Sequence, residues 1–110
     1  MITVELLHKE ELLCGFVCSG HANRGEYGHD IVCSAVSAIT QTCVLGICEV
    51  LNIDAAVRVD DVNGIDCRLS SETDTISWQK AALLLQTMRA GLAAVEDAYP
   101  GTLKIFDREV

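Results

Sequence analysis

Basic residues are scarce. Eight Lys and Arg stand against sixteen Asp and Glu, for a formal charge of −8 over 110 residues. Phosphate binding needs clustered cations, so this balance argues against nucleic acid as a direct ligand. Steering of a basic protein substrate and plain acidic solubility both fit the total; only a local acidic groove would favour the former. Aromatics are few as well, five in all, so the core is expected to be mostly aliphatic. No basic region followed by an apolar stretch opens the chain, and no uninterrupted apolar run approaches the roughly 18 residues of a membrane span. These absences predict a cytoplasmic protein with no membrane segment. Its six cysteines then read as reduced thiols rather than a disulfide framework. They include no C-x-x-C pair, which weakens a structural zinc site. No repeat, linker or low-complexity tract interrupts residues 1–110, so a single domain is expected.

Against these absences stands one chemically dense stretch, Gly20 to Ser37. Gly20-His21-Ala22 leaves an apolar strand, a polar loop follows with Gly25 and Gly28, and Asp30-Ile31-Val32-Cys33-Ser34-Ala35-Val36-Ser37 opens a long apolar segment. Asp30 is a natural N-cap, because its carboxylate can accept hydrogen bonds from the free amides of a first helical turn. Counted from that cap, Cys33 is the third helical residue, where the positive end of the helix dipole favours the reactive thiolate. His21 can fold back over the same helix start. A thiol and an imidazole at one helix N-terminus are the minimum equipment of a cysteine nucleophile with its base. Buried filler is the commoner fate of a cysteine, and what lifts Cys33 above it is the capped position and the glycine-rich loop behind it.

The pattern G-H-A, an interval holding a glycine, then G-x-D-I-V-C-x-A-V-S resembles the signature of the ribosomal-processing cysteine proteases, the Prp or YsxB-like family. The matching residues are Gly20, His21, Ala22, Gly28, Asp30, Ile31, Val32, Cys33, Ala35, Val36 and Ser37. Ser34 departs from the alanine usual beside the nucleophile. The length and order of elements resemble the family too, so the likeness covers essentially the whole chain. It implies Cys33 and His21 as the catalytic pair and homodimers as the assembly. It also implies the substrate: the N-terminal extension of a bacterial large-subunit ribosomal protein, cut after an aromatic pair.

Taken in order, Ile2–Leu7 alternates as a strand with one buried face, His8–Glu11 reads as a charged turn with His8 in solvent, and Leu12–Ser19 reads as a second strand. Cys14 and Cys18 fall on one strand face as core residues, about 13 Å apart and too far for one metal. Ten residues, Gly20–His29, make a long connector, and a loop of that length beside reactive groups suits a lid. A helix follows from Asp30 to about Asn52, with Val32, Val36, Ile39, Cys43, Ile47 and Val50 as its core stripe. Its other side carries little charge, so it is expected to be covered on more than one face; Cys43 and Cys48 are structural there. Ser37 sits one turn beyond Cys33, either near the thiol or bonded to its own backbone. Strands at Ala55–Asp61 and Ile65–Ser70 flank Asn63-Gly64. Placing Val57 and Val59 on the face of Cys67 and Leu69 requires a three-residue or bulged turn with Gly64 at positive φ. Thr73–Tyr99 is a second helix, with Ala81, Leu84, Leu85, Met88, Leu92 and Val95 inward, stopped by Pro100-Gly101. Leu103 and Ile105 mark a last short strand. The order ββαββαβ predicts an α+β two-layer sandwich: a mostly antiparallel sheet under two long helices.

The expected chemistry is peptide hydrolysis without cofactor or metal. His21 takes the Cys33 proton, the thiolate attacks a carbonyl, and free amides at the helix start hold the oxyanion. Asp30 either caps the helix or orients His21, and its charge opposes thiolate formation unless a protonated His21 offsets it. Gly20, Ala22, Gly28 and Ser37 support the site; His29 is a second candidate base. Two other classes fit less well. A metal hydrolase would use His21, His29 and Cys33, whose spacing matches no compact zinc motif. A non-enzymatic ribosome-associated protein-binding module would use the same stretch only to shape a helix start.

Overall fold

Two hairpins and a returning strand build one sheet, and two helices pack with it. The computed structural model describes residues 1–20, 29–60 and 64–110, with His29 and Asp30 described at the backbone only. Strands β1 (Ile2–Lys9), β2 (Leu12–Ser19), β3 (Ala55–Asp60), β4 (Gly64–Leu69) and β5 (Leu103–Glu109) align in the order β3-β4-β2-β1-β5. Every neighbouring pair is antiparallel except β1 and β5, which run parallel. Helices α1 (His29–Leu45) and α2 (Thr75–Ala98) form the second layer. This is the α+β sandwich with a mostly antiparallel sheet that the alternation of hairpins and helices implies.

Among the described residues the core is mostly aliphatic, and Phe16 is its one fully buried aromatic. Val4, Leu6, Phe16, Val32, Ile47, Leu85 and Leu92 are fully enclosed, and Cys18, Cys43 and Cys67 lie among them. On α2 the inward row is Ala81, Ala82, Leu85, Met88 and Leu92, while Leu84 and Val95 are half-buried. Asp74 caps that helix by accepting from the Ser77 amide at 3.0 Å, and the bond holds its carboxyl below the ordinary range. Trp78 Nε1 donates to the Leu13 carbonyl at 2.9 Å and ties α2 to β2.

The β3–β4 hairpin follows the expected register. Val57 faces Cys67, Val59 faces Ile65, and Asp60 faces Gly64, which has φ +87°; the expected turn, residues 61–63, lies outside the described residues. The β1–β2 hairpin differs from expectation. β1 runs on through His8 and Lys9, and the turn is only Glu10-Glu11, both at positive φ (52° and 70°). His8 is therefore a strand residue, its Nε2 2.6 Å from Asp107 Oδ1 on β5. Arg89 of α2 holds the same carboxylate with two bonds, at 2.6 and 2.7 Å.

A bulge also changes the face assignment of Cys14. Leu7 pairs with Gly15 but His8 pairs with Leu13, so Cys14 is the extra residue and the period of two slips by one. Leu13 turns into the core and Cys14 is only half-buried, not a core cysteine beside Cys18. The first helix likewise departs from a uniform α-helix to Asn52. Its last turn, Gly46–Val50, is wound as a π-helix, with the Leu51 amide bonded to the Gly46 carbonyl five residues back at 2.9 Å. Asn52 at φ 53° ends it.

The outer side of the first helix stays apolar. Ile31, Leu45 and Val50 are more than half exposed, and Ile31–Val50 has a mean hydropathy of 1.9, long and apolar enough by composition to span a membrane. Here it lies against α2. A groove of about 500 Å³ separates the two, lined by Ala38, Ile39, Gly46, Val50, Leu84 and Met88 among others.

Candidate active site

Cys33 sits where the first turns of α1 cross the ends of four strands. Helix α1 begins at His29, so Asp30 is its second residue rather than its cap, and Cys33 its fifth rather than its third. A first-turn position is one where the helix dipole favours an acidic residue. In a regular α-helix the unpaired amides belong to the first four residues, which precede Cys33 here.

The thiol is half-buried and opens into a cavity of about 220 Å³. One wall is helical: Cys33, Val36, Ser37, Thr40 and Gln41. The other is built from strand ends: Ile2 of β1, Cys18 of β2 with Gly20 beyond it, Val59 and Asp60 of β3, Gly64 and Ile65 of β4. Ser37 thus shares the cavity with Cys33, one turn on, as its spacing requires. Thr40 is wholly buried with its hydroxyl donating to the Val36 carbonyl at 2.8 Å, so it presents no unsatisfied group to the cavity. Among the described residues, Asp60 is the one carboxylate in this lining.

Two glycines let the strand ends come this close. Gly20 has φ +88°, and a β-carbon there would stand 2.5 Å from the Met1 carbonyl. Gly64 has φ +87°, and a β-carbon there would run into the Cys18 carbonyl. Both positions need glycine twice over, for the left-handed backbone and for the close approach. Gly20 also sets the direction in which the chain leaves β2, immediately before His21.

Burial separates the thiols. It pushes Cys18 and Cys43 up to about 11 and Cys67 up to about 12, so these three stay protonated at neutral pH. Cys33 alone combines partial exposure, a helix start and a cavity.

Of the residues singled out in the sequence, the structure brings together Cys33, Ser37 and Gly20 and places Asp30 in the first turn of α1. His21, Ala22 and Gly28, and with them the expected lid, lie outside the described residues. So do the side chains of His29 and Asp30, which leaves the metal trio of His21, His29 and Cys33 outside as well. Among the described residues no three His, Cys, Asp or Glu side chains are placed to hold a metal ion. Cys18, Gln41, Val59, Asp60 and Gly64 were not foreseen as site residues. They come from four separate segments, and only the hairpin register hinted that Gly64 packs tightly.

A half-buried thiol near a helix start, lining a cavity large enough for a side chain, is placed as a cysteine nucleophile would be on an α+β scaffold. The family model described as "Cysteine protease Prp" matches residues 1–104, and the chain belongs to that family. The ribosomal processing cysteine protease Prp of Staphylococcus aureus is 33% identical over 106 residues, covering 96% of this chain and 97% of that one. Two crystal structures of the S. aureus protease match with 98% of this chain and all of that chain covered. The one with a covalently linked product peptide is 32% identical with a TM-score of 0.79, and the one with a substrate peptide is 30% identical with a TM-score of 0.80. The chain is accordingly a cysteine protease, an enzyme rather than a passive binding module.

Proposed function

We propose that this protease removes the N-terminal extension of a bacterial large-subunit ribosomal protein, with Cys33 as nucleophile and His21 as base. The observation that carries the reading is the place of Cys33: half-exposed at the start of α1 and open to a cavity walled by four strand ends. Kinship with an enzyme named for ribosomal processing, whose crystal structures hold substrate and covalently linked product peptides, supports the substrate class.

In the proposed reaction His21 takes the Cys33 proton and the thiolate adds to the scissile carbonyl. Amides from the first helical turn donate to the oxyanion. Collapse expels the amine, which receives the proton from His21, and leaves a thioester on Cys33. Water, deprotonated by the same imidazole, then releases the new C-terminus. Asp30, in the turn that precedes Cys33, either steadies the helix dipole or orients His21. Gly20 fixes where His21 begins, and Ser37 lines the cavity one turn from the sulfur. The enzyme works in the cytoplasm, where thiols stay reduced, as a homodimer through the apolar groove between its helices.

Incubation with a peptide spanning the ribosomal extension is the test. Cys33→Ala should abolish cleavage while keeping the fold, whereas Cys43→Ala and Cys67→Ala should cost stability only. Normal turnover by a folded Cys33→Ala variant would sink the assignment.

A further inference from the structure

The cavity that receives the Cys33 thiol holds a second sulfur, and the reaction above has no use for it. Cys18 lines the same space from the opposite layer, near the end of β2, fifteen positions earlier in the chain. The two are unequal in access. Cys18 is only 8% exposed, whereas Cys33 is half-buried at the cavity wall, so a small oxidant reaches Cys33 first. The Cys18 thiol also responds to its neighbour: after burial, negative charge on Cys33 is the second cause that raises it. The remaining core thiols form another group, with Cys67 influenced by Cys43 and Cys48.

We propose that Cys18 and Cys33 form a reversible oxidation site, in which a hydroperoxide oxidises Cys33 and Cys18 captures the product as a disulfide. In the first step the Cys33 thiolate attacks the peroxide; an S–O bond forms, the O–O bond breaks, and the departing oxygen is protonated to water or an alcohol. Cys33 is then a sulfenic acid. In the second step the Cys18 sulfur attacks the Cys33 sulfur. The S–S bond forms, the S–O bond breaks, and hydroxide leaves with the Cys18 proton as water. Two thiols lose two electrons in total and one peroxide gains them. The bond ties the end of β2 to the start of α1 across the segment that carries His21. It stops oxidation of Cys33 short of the sulfinic and sulfonic acids, which thiol reductants do not reverse. A small dithiol restores both cysteines by exchange. The consequence for activity rests on Cys33 being the nucleophile; formation of the bond does not.

Intact-mass spectrometry of the reduced protein after limited hydrogen peroxide tests this. The expected product has lost two hydrogens, about 2 Da, and its digest joins the peptides of Cys18 and Cys33. Dithiothreitol should return both the mass and the peptidase activity. Cys18→Ala and Cys18→Ser should instead take up two or three oxygens at Cys33, about 32 or 48 Da, with activity that dithiothreitol does not restore. Wild-type protein that gains those oxygens at Cys33 without forming the cross-linked peptide overturns the proposal. So does an internal disulfide mapped to other cysteines. If the Cys18–Cys33 bond forms but Cys33→Ala still cleaves the ribosomal peptide, the catalytic assignment fails and the oxidation site stands.

Discussion

Burial sorts the thiols residue by residue, and a histidine is proposed to activate Cys33, one of the three that are only half-buried. A buried thiol with its pKa pushed to about 11 or 12 reacts slowly with an alkylating reagent, since only the thiolate attacks. On the proposed pairing, His21→Ala should leave Cys33 alkylating more slowly near neutral pH, because the thiolate would lose a charge partner. An unchanged rate-against-pH curve for Cys33 would show that the two are not paired. Gly64 invites a different change. A methyl group there meets the Cys18 carbonyl and a left-handed backbone together, so Gly64→Ala should cost about 1–3 kcal/mol in urea unfolding. Full stability in that variant would mean that the hairpin end is not packed as described. Asp107 supplies a pH signature. Bonds from Arg89 and then His8 lower its carboxyl from 3.8 to about 2. A depressed carboxyl contributes stability that is complete above the unfolded value near 3.8 and is lost as pH falls toward 2. Asp107→Asn should flatten the acid limb of the stability curve in that window, modestly, because the carboxylate is half exposed.

Single elements show what a sequence carries and what it hides. The β3–β4 pairing was legible, since Val57, Val59 and Cys67 had to share a face, which calls for a three-residue or bulged turn with Gly64 at positive φ; the pairing and the φ of Gly64 agree. The β1–β2 hairpin was not. Its turn is two glutamates in left-handed conformation, where Asn-Gly would have announced it, and the bulge at Cys14 leaves no mark in the alternation. The π turn at Gly46–Val50 is equally silent, as the apolar spacing continues through it. The thiol at the start of α1 was readable from a local motif, but its cavity was not, because Cys18, Val59 and Gly64 meet only through the sheet order. The strained turn yields a prediction. Replacing Glu10-Glu11 by Asn-Gly supplies residues that adopt positive φ readily, and should raise stability by about 1–2 kcal/mol. A urea midpoint that does not move would mean that the two glutamates bear no conformational cost.

The whole molecule has more apolar surface than one sheet and one neighbouring helix can cover. Val50 is 79% exposed, Leu45 and Leu83 are more than half exposed, and the α1–α2 groove is walled almost entirely by apolar and small side chains. The proposed second copy would cover this patch, with the groove as a shared two-fold seam. Two forces then oppose each other. Burial of the helix faces favours association, while the formal charge of −8 on each chain resists it through like-charge repulsion. Salt screens the repulsion over about 10 Å at 0.1 M and leaves the apolar contact intact. The dimer should therefore tighten as ionic strength rises, the reverse of an interface held by ion pairs. Val50→Lys places a charge in the groove and should shift the equilibrium to monomer without unfolding the chain, because residue 50 lies outside the core. Sedimentation at roughly micromolar protein is the measurement. A wild-type monomer at every salt concentration would leave the helix faces without their proposed partner, and a dimer that Val50→Lys does not weaken would place the seam elsewhere.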